Sequence, residues 1–384
     1  MTTKTLALFF TRGISLKIWK ETGLLDREKL LYHEHLECND LQQVIWLTYG
    51  ASDLQIASDL KSQGKLHHSI VLCQMPKFFN FFMGAWLYSL ILPLVHYKVL
   101  RKSQVFKTNQ MDGSWTAVLA KWLYNKPLIV RTGFTQSIFF KMSEKNMLVL
   151  FLSQLVERFA YKFCNSAVVA SKSDQKYIMN LYQLDVNKAN VIHNYIDTKI
   201  FKPIESEKFK DRVVFVGRLN KQKNLFNLID AIGQTNLTLD IYGQGQLKDS
   251  LELYAQQKKV NVSFKGVVTN SELPIILNQY QYYILPSNYE GMPKTLLEAM
   301  ACSLICIGTD VKGINEVIDN GFNGFLAQST NIGNIVDTIG IAMNCSESNM
   351  ISQNARLLIE KNFSLDSCQK KEILIVEELV SAYE

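Results

Sequence analysis

The sequence predicts an α/β protein made of two doubly wound domains, each a parallel sheet covered by helices on both faces. Three observations carry that prediction. The chain has 384 residues, and at roughly 100–200 residues per domain this argues for two domains rather than one. Short apolar, β-rich runs recur every 20–25 residues or so between amphipathic stretches, as βα repeats do. The charge also divides: residues 1–200 carry 24 basic and 14 acidic side chains, residues 201–384 carry 17 and 21. With 47% hydrophobic and 20% charged residues the composition is globular and excludes a disordered chain, which could not offset its conformational entropy.

In the first half the expected strands are Leu6–Phe10, Val44–Leu47, Val105–Lys107, Leu128–Arg131 and Ala167–Ala170, with helices around Trp115–Leu123 and Met147–Phe163. The apolar run at the N-terminus is broken by Arg12, too early for a signal-peptide core, and suits a buried strand. In the second half the strands are Val213–Val216, Leu237–Tyr242, Val260–Phe264, Tyr282–Leu285 and Leu304–Ile307. The helices are Asn224–Ile232, Gln246–Lys258, Ser271–Gln279 and Pro293–Ala301. The boundary falls in Val191–Pro203. This gives an acceptor-side domain over 1–203, a donor-binding domain over 204–364, and a C-terminal helix over 365–384 that could pack back on the first domain.

Phe78–Tyr97 contains no formally charged residue and is about long enough to span a bilayer. Asn80, Pro93 and His96 oppose spanning, and Lys98, Arg101 and Lys102 follow at once. A spanning segment, a buried helix and an interfacial helix are the three readings. Around it, Lys61 to Met111 holds seven basic and no acidic residues, and the basic surplus as a whole lies between Lys61 and Lys145. No nucleic-acid recognition motif accompanies that surplus, so an anionic membrane face or a lipid-diphosphate acceptor suits it better. The seven cysteines are scattered, without a C-x-x-C pair, and read as reduced buried thiols of a cytosolic protein. No histidine pattern suggests zinc, and no metal site is expected.

The chemistry concentrates in the second half. Glu290-Gly-Met-Pro-Lys-Thr-Leu-Leu-Glu298 follows a strand, with Pro293 expected at the first helical position. The amides of Gly291, Met292, Lys294 and Thr295 would then face a phosphate from a helix N-terminus. Glu298, more than a turn inside, could accept bonds from sugar hydroxyls, and Glu290 could hold a second sugar. Gly217-Arg218-Leu-Asn-Lys221-Gln-Lys223 follows another strand as a glycine turn with cations; Arg218 and Lys223 are the expected phosphate ligands. Gly243-Gln-Gly245 lacks the third glycine of a dinucleotide fingerprint, which argues against hydride chemistry. Gly266-Val267 is a strand exit where backbone groups could read a base edge.

Taken in order, Gly217-Arg218…Lys223, Gly243-x-Gly245, Gly266-Val, Leu285-Pro286-Ser287, Glu290-x7-Glu298-Ala-Met-Ala and Gly313-x-x-Glu316-Val-Ile resemble the group 1 (family 4) retaining glycosyltransferases. The resemblance runs from about Asn194 to Leu326 and includes the linker Asn194-Tyr-Ile-Asp197-x3-Phe201-x-Pro203. It implies the GT-B fold, two Rossmann-like doubly wound domains facing a central cleft. It also implies metal- and cofactor-independent transfer of a sugar from a nucleotide-diphosphate donor with retention. Carried over by position, Arg218 and Lys223 bind the diphosphate, Glu298 the ribose and Glu290 the donor sugar.

The first half is similar to the family more loosely. Thr11-Arg12-Gly13 stands where a glycine-rich loop admits the donor phosphates, which gives Gly13 a donor role. Asn109, Gln110 and Asp112 form an acceptor-side loop before the Trp115 helix, where Asp112 could equally cap that helix. Many members carry a catalytic histidine after a strand; here Ile129-Val130-Arg131-Thr132-Gly133 stands instead, and Arg131 is the candidate to stabilise the departing phosphate or position the acceptor.

The resulting expectation is a cytoplasmic enzyme, peripheral at the inner face of the cell membrane. Its donor is a UDP- or GDP-type sugar and its acceptor lipid-linked or oligosaccharide, in bacterial surface polysaccharide or lipopolysaccharide assembly. The rival readings are a non-catalytic nucleotide-sugar-binding or membrane-docking protein and an epimerase-like enzyme.

Overall fold

The computed structural model describes residues 4–142 and 146–383. Residues 1–3 of the N-terminal apolar run, and Lys145 at the end of the basic surplus, lie outside them. The chain divides into two compact units: one runs to Ile192 and resumes at Cys368, the other is His193–Ser367.

The first unit alternates strands and helices in the order β1 (Thr5–Phe9), α1 (Leu16–Glu21), α2 (Leu25–Glu37), β2 (Gln43–Leu47), α3 (Asp53–Ser62), β3 (Ile70–Cys73), α4 (Gly84–Val95), α5 (Tyr97–Lys102), β4 (Val105–Thr108), α6 (Ser114–Tyr124), β5 (Leu128–Thr132), α7 (Gln136–Met142), α8 (Met147–Phe163), β6 (Ser166–Val169), α9 (Lys172–Tyr182) and β7 (Ala189–Val191). All seven strands are parallel, in the order β3-β2-β1-β4-β5-β6-β7. The order reverses between β1 and β4, so the loops leaving those two strands diverge and open a crevice at their carboxyl ends. Burial on both faces is why these strands read as continuous apolar runs. Local chemistry fixes the helix starts: Ser15 accepts the Ile18 amide, and the buried Asp53 carboxylate accepts the Leu16 amide at 2.8 Å.

The second unit runs β8 (Phe209–Val216), α10 (Leu225–Ile232), β9 (Thr238–Tyr242), α11 (Lys248–Lys258), β10 (Val262–Gly266), α12 (Leu273–Asn278), β11 (Tyr280–Leu285), α13 (Lys294–Ala301), β12 (Ile305–Thr309), β13 (Phe325–Ala327), α14 (Ile332–Met343) and α15 (Ser348–Asn362). Its parallel sheet has the order β10-β9-β8-β11-β12-β13, with the reversal between β8 and β11. The last helix, α16 (Leu365–Ser381), starts at the end of this unit, and from Cys368 on it clusters with the first.

Residues 193–203 cluster with the second unit, so the change of unit lies at the start of the Val191–Pro203 stretch and not at its end. The cause is a set of backbone clamps. The Arg356 guanidinium donates to the carbonyls of Thr198 and Ala301 at 3.1 and 2.6 Å, and Asn278 donates to the Lys202 carbonyl at 2.9 Å.

The Phe78–Tyr97 segment is a short 3-10 turn at Lys77–Phe79 followed by α4, with Pro93 inside it, and a break at His96. Among the described residues no helix is long and apolar enough to cross a membrane. The spanning reading therefore fails on length. The buried-helix reading fails on exposure, because only the Tyr88–Leu92 side of α4 is buried. Five of the seven cysteines are buried, as expected, whereas Cys38 is exposed and Cys345 half-buried.

Candidate functional site

In the second unit the two loops flanking the sheet reversal are zipped together. The backbone after β8 makes a short 3-10 turn at Lys221–Lys223. The loop after β11 lies against it: the Asn288 amide donates to the Gln222 carbonyl at 2.8 Å, and Gln222 Nε2 to the Tyr289 carbonyl at 2.8 Å. This brings Lys223 and Glu290 into a direct ion pair. Both side chains are largely buried, at 10% and 7% exposure. Ser287 Oγ adds a 2.6 Å bond to the same carboxylate oxygen and Gln222 Nε2 a 3.2 Å bond to the other. Arg218 is exposed at the rim. Its charge is felt by the Tyr289 phenol, which burial and Glu290 push above its ordinary value while Arg218 opposes them. The arrangement holds a cation and a carboxylate ready to exchange partners with an anionic, hydroxyl-bearing ligand.

Helix α13 begins at Lys294, not at Pro293. Pro293 is extended (ψ 107) and caps the helix from outside, so the expected first helical position is off by one. The segment before it is held from behind: Asn194 Nδ2 donates to the Met292 carbonyl at 3.0 Å. In the first turn the Tyr283 hydroxyl donates to Thr295 Oγ1 at 2.8 Å, and the Lys294 ammonium lies 5.1 Å from the Tyr195 ring centre. Glu298 is buried one turn further along. Burial pushes the Tyr283 phenol far up, and the Glu290 and Glu298 charges nearby add to it. Gly313, at φ +82, braces this region; a Cβ there would stand 2.2 Å from the Gly291 carbonyl oxygen.

The glycines of the Gly217 and Gly243-x-Gly245 turns have a packing explanation. The loop after β9 lies backbone to backbone on the loop after β8, with the Leu219 amide donating to the Gln244 carbonyl at 3.0 Å. A Cβ on Gly243 (φ +141) would sit 1.9 Å from the Gly217 carbonyl oxygen, and one on Gly245 2.3 Å from that of Leu219. Gly243→Ala is therefore expected to cost on the order of 3 kcal/mol, read as a lowered midpoint of thermal or urea unfolding. By contrast Gly266, at φ +77, faces open space and Val267 is exposed.

In the first unit the reversal gathers the acceptor-side candidates. Asn109 donates its amide to the Phe9 carbonyl (2.9 Å), Gln110 Oε1 accepts the Gly133 amide (3.0 Å), and the Arg131 amide donates to Thr108 Oγ1 (3.0 Å). Gly13 takes φ +76 with nothing near its missing Cβ. Asp112 does not cap α6, whose N-cap is Gly113. Its carboxylate instead accepts a two-pronged bond from Arg12, at 3.2 and 3.1 Å. Burial raises the Asp112 carboxyl and Arg12 opposes that. The Arg12 guanidinium lies 3.9 Å over the Trp86 ring, which stacks on Trp115 at 5.2 Å. Sequence reasoning passed over Arg12 because nothing local ties residue 12 to residue 112. His193 stacks on Phe363 at 4.6 Å.

Residues 197–358 match the sequence profile of the family described as Glycosyl transferases group 1. The chain is 27% identical over 293 residues to the Escherichia coli UDP-Gal:alpha-D-GlcNAc-diphosphoundecaprenol alpha-1,3-galactosyltransferase, covering 70% of this chain and 74% of that one. It is 29% identical over 232 residues to a Campylobacter jejuni enzyme named as an N-acetylgalactosamine-N,N'-diacetylbacillosaminyl-diphospho-undecaprenol 4-alpha-N-acetylgalactosaminyltransferase, covering 57% of this chain and 61%, under two thirds, of that one. Among solved structures, Anabaena HepE in complex with UDP superposes with a TM-score of 0.75 over 98% of this chain and all of that one, at 16% identity. That likeness establishes the fold.

Proposed function

We propose that this chain of GT-B fold, whose residues 197–358 match the group 1 glycosyl transferases, is a retaining, metal-independent transferase that moves a sugar from a uridine-diphosphate donor to a lipid-linked acceptor at the inner face of the cell membrane. The observation that carries the reading is the buried Lys223–Glu290 pair at the sheet reversal of the second unit, with Arg218 at its rim. Support for the donor and acceptor classes comes from the UDP-Gal and diphosphoundecaprenol names of the Escherichia coli relative. Surface-polysaccharide assembly is the process that such an acceptor suits.

Breaking the bond between sugar and nucleotide leaves negative charge on the diphosphate and positive charge on the ring. In this reading Lys223 leaves Glu290 for the diphosphate, joined by Arg218 and the amides of Gly291, Met292, Lys294 and Thr295. Glu290, released, takes a donor-sugar hydroxyl, and Glu298 takes the ribose. Cations and dipoles already aimed at the leaving group stabilise its charge as it develops. The departing phosphate oxygen takes the acceptor's proton on the face it leaves, so the new bond forms on that face and no enzymic nucleophile is needed. Asn109, Gln110 and Arg131 are assigned to the acceptor, with Asp112 serving it through Arg12.

Uridine diphosphate at about 100 times its dissociation constant should stabilise the native protein by about 2.7 kcal/mol, raising the midpoint in a thermal-shift panel of nucleoside diphosphates. Release of nucleoside diphosphate on mixing a UDP-sugar with a polyprenyl-diphosphate saccharide tests the reaction itself. No shift with any uridine or guanosine diphosphate, and no turnover, would overturn the reading.

A further inference from the structure

The first unit carries an apolar surface that its own fold leaves uncovered. Helices α4, α6 and α8 form one layer and run in the same direction. Trp86 of α4 stacks on Trp115 at the start of α6. At the other end the Tyr124 hydroxyl donates to the Pro93 carbonyl at 2.7 Å, and Trp122 packs edge-on against Phe163 of α8 at 4.9 Å. Helix α6 follows β4 directly, so all three begin on the side where the strands end.

At those starts large apolar side chains face solvent. Phe82, two residues before α4, is 99% exposed, and Trp86, Leu90 and Leu94 continue the face along the helix. On α8, Met147 is 81% and Leu148 62% exposed, followed by Phe151. Toward the other ends the surface turns basic: Lys98, Arg101 and Lys102 on α5, Arg158 and Lys162 on α8, all exposed. Across α4, α5, α6 and α8 there is one acidic side chain, Glu157. It is fully buried, accepting bonds from the Ser137 amide and hydroxyl at 2.8 and 2.6 Å.

We propose that this face is a membrane-docking surface: the starts of α4 and α8 enter the acyl region of an anionic bilayer while the basic ends of α5 and α8 meet lipid phosphates. The inference rests on the lipid-linked acceptor proposed above for the choice of a bilayer as partner. Charge selects the bilayer over a second copy of the chain, because two such faces would set like cations against each other, whereas anionic headgroups complement them. The arrangement also brings the bilayer to the side of the unit that carries Arg12, Asn109 and Arg131, where a membrane-held acceptor has to arrive.

Flotation of the full chain with vesicles tests the assignment. The protein is expected to float with phosphatidylcholine vesicles containing about 30% phosphatidylglycerol, and brominated acyl chains are expected to quench its tryptophan emission. The double variant F82D/L148D, altered only at exposed side chains, is expected to bind these vesicles at least tenfold more weakly while keeping its unfolding midpoint and its response to uridine diphosphate. R101E/K102E is expected to lose the preference for anionic over neutral vesicles. Unchanged flotation of F82D/L148D would overturn the proposal. So would a chain that floats with neither vesicle but sediments as a dimer dispersed by F82D/L148D, which would assign the face to a second copy. Because nucleotide response is read separately, a chain that floats but ignores every nucleotide would refute the transferase reading and leave the docking surface standing.

Discussion

Lys223→Ala and Glu290→Ala are each expected to lower glycosyl transfer by a factor of about 10²–10³ or more, the loss typical when one preorganised charge is withdrawn from a developing anion or its orienting partner. The two substitutions differ in what else they disturb. Removing Lys223 leaves the Glu290 carboxylate with Ser287 Oγ and Gln222 Nε2 as neutral donors, so the loop after β11 keeps part of its anchoring. Removing Glu290 leaves an ammonium at 10% exposure without its carboxylate. Each change should cost on the order of 1–3 kcal/mol of stability, so unfolding midpoints must accompany the rates. Glu290→Gln separates charge from shape, because an amide oxygen can still accept from Ser287 but no longer attracts Lys223. If the partner exchange described above operates, Glu290→Gln should bind uridine diphosphate at least as tightly as the parent, since Lys223 is freed, and still transfer poorly. Near-normal nucleoside diphosphate release by Lys223→Ala, with the fold intact, would remove Lys223 from the reaction.

What the sequence makes legible follows from the physics of each element. Strands such as Tyr280–Leu285 and Ile305–Thr309, buried on both faces, announce themselves as unbroken apolar runs. The short strands Ile70–Cys73 and Phe325–Ala327 were not predicted, and runs this short show no period of their own. Among site residues, Lys223 and Glu290 could each be picked out by their place after a strand. That they pair across 67 positions depends on β8 and β11 lying side by side, and local sequence carries no trace of that. The Gly243-x-Gly245 pattern is visible, yet its cause is contact with the Gly217–Leu219 backbone, which a ligand-centred reading of glycine misses. Arg12, locked to Asp112 and laid over Trp86, shows the same limit.

The buried cluster around Lys107 and Glu372 should have the largest effect on stability. Lys107 sits in the middle of the sheet, on β4, with no solvent exposure. Its ammonium donates to both oxygens of Glu372 at 2.6 Å, and His35 Nε2 lies 3.5 Å from the same carboxylate. Burial alone would raise the Glu372 carboxyl, but Lys107 and His35 hold it well below the ordinary carboxylate range. The pair ties α16 to the middle of the sheet across 265 positions of sequence. Glu372→Gln leaves a buried lysine without its counter-charge and should destabilise the protein by about 3–5 kcal/mol. At about 2–4 °C per kcal/mol, that is a fall in the unfolding midpoint of roughly 6–20 °C.

The pH dependence has a definite sign. A carboxyl whose folded-state value lies below its unfolded value of about 4.3 contributes stability that is complete above the unfolded value and lost as pH falls through the folded one. The parent should therefore keep this contribution from neutrality down to about pH 5 and lose it in acid, and Glu372→Gln should lack that part of the acid dependence. Replacing both partners, as in K107M/E372L, removes the unpaired charge along with the pair and should recover most of the loss. If Glu372→Gln unfolds within about 1 kcal/mol of the parent, the pair does not hold α16. If K107M/E372L is instead as unstable as Glu372→Gln, the loss arises from packing around β4 and not from the stranded charge.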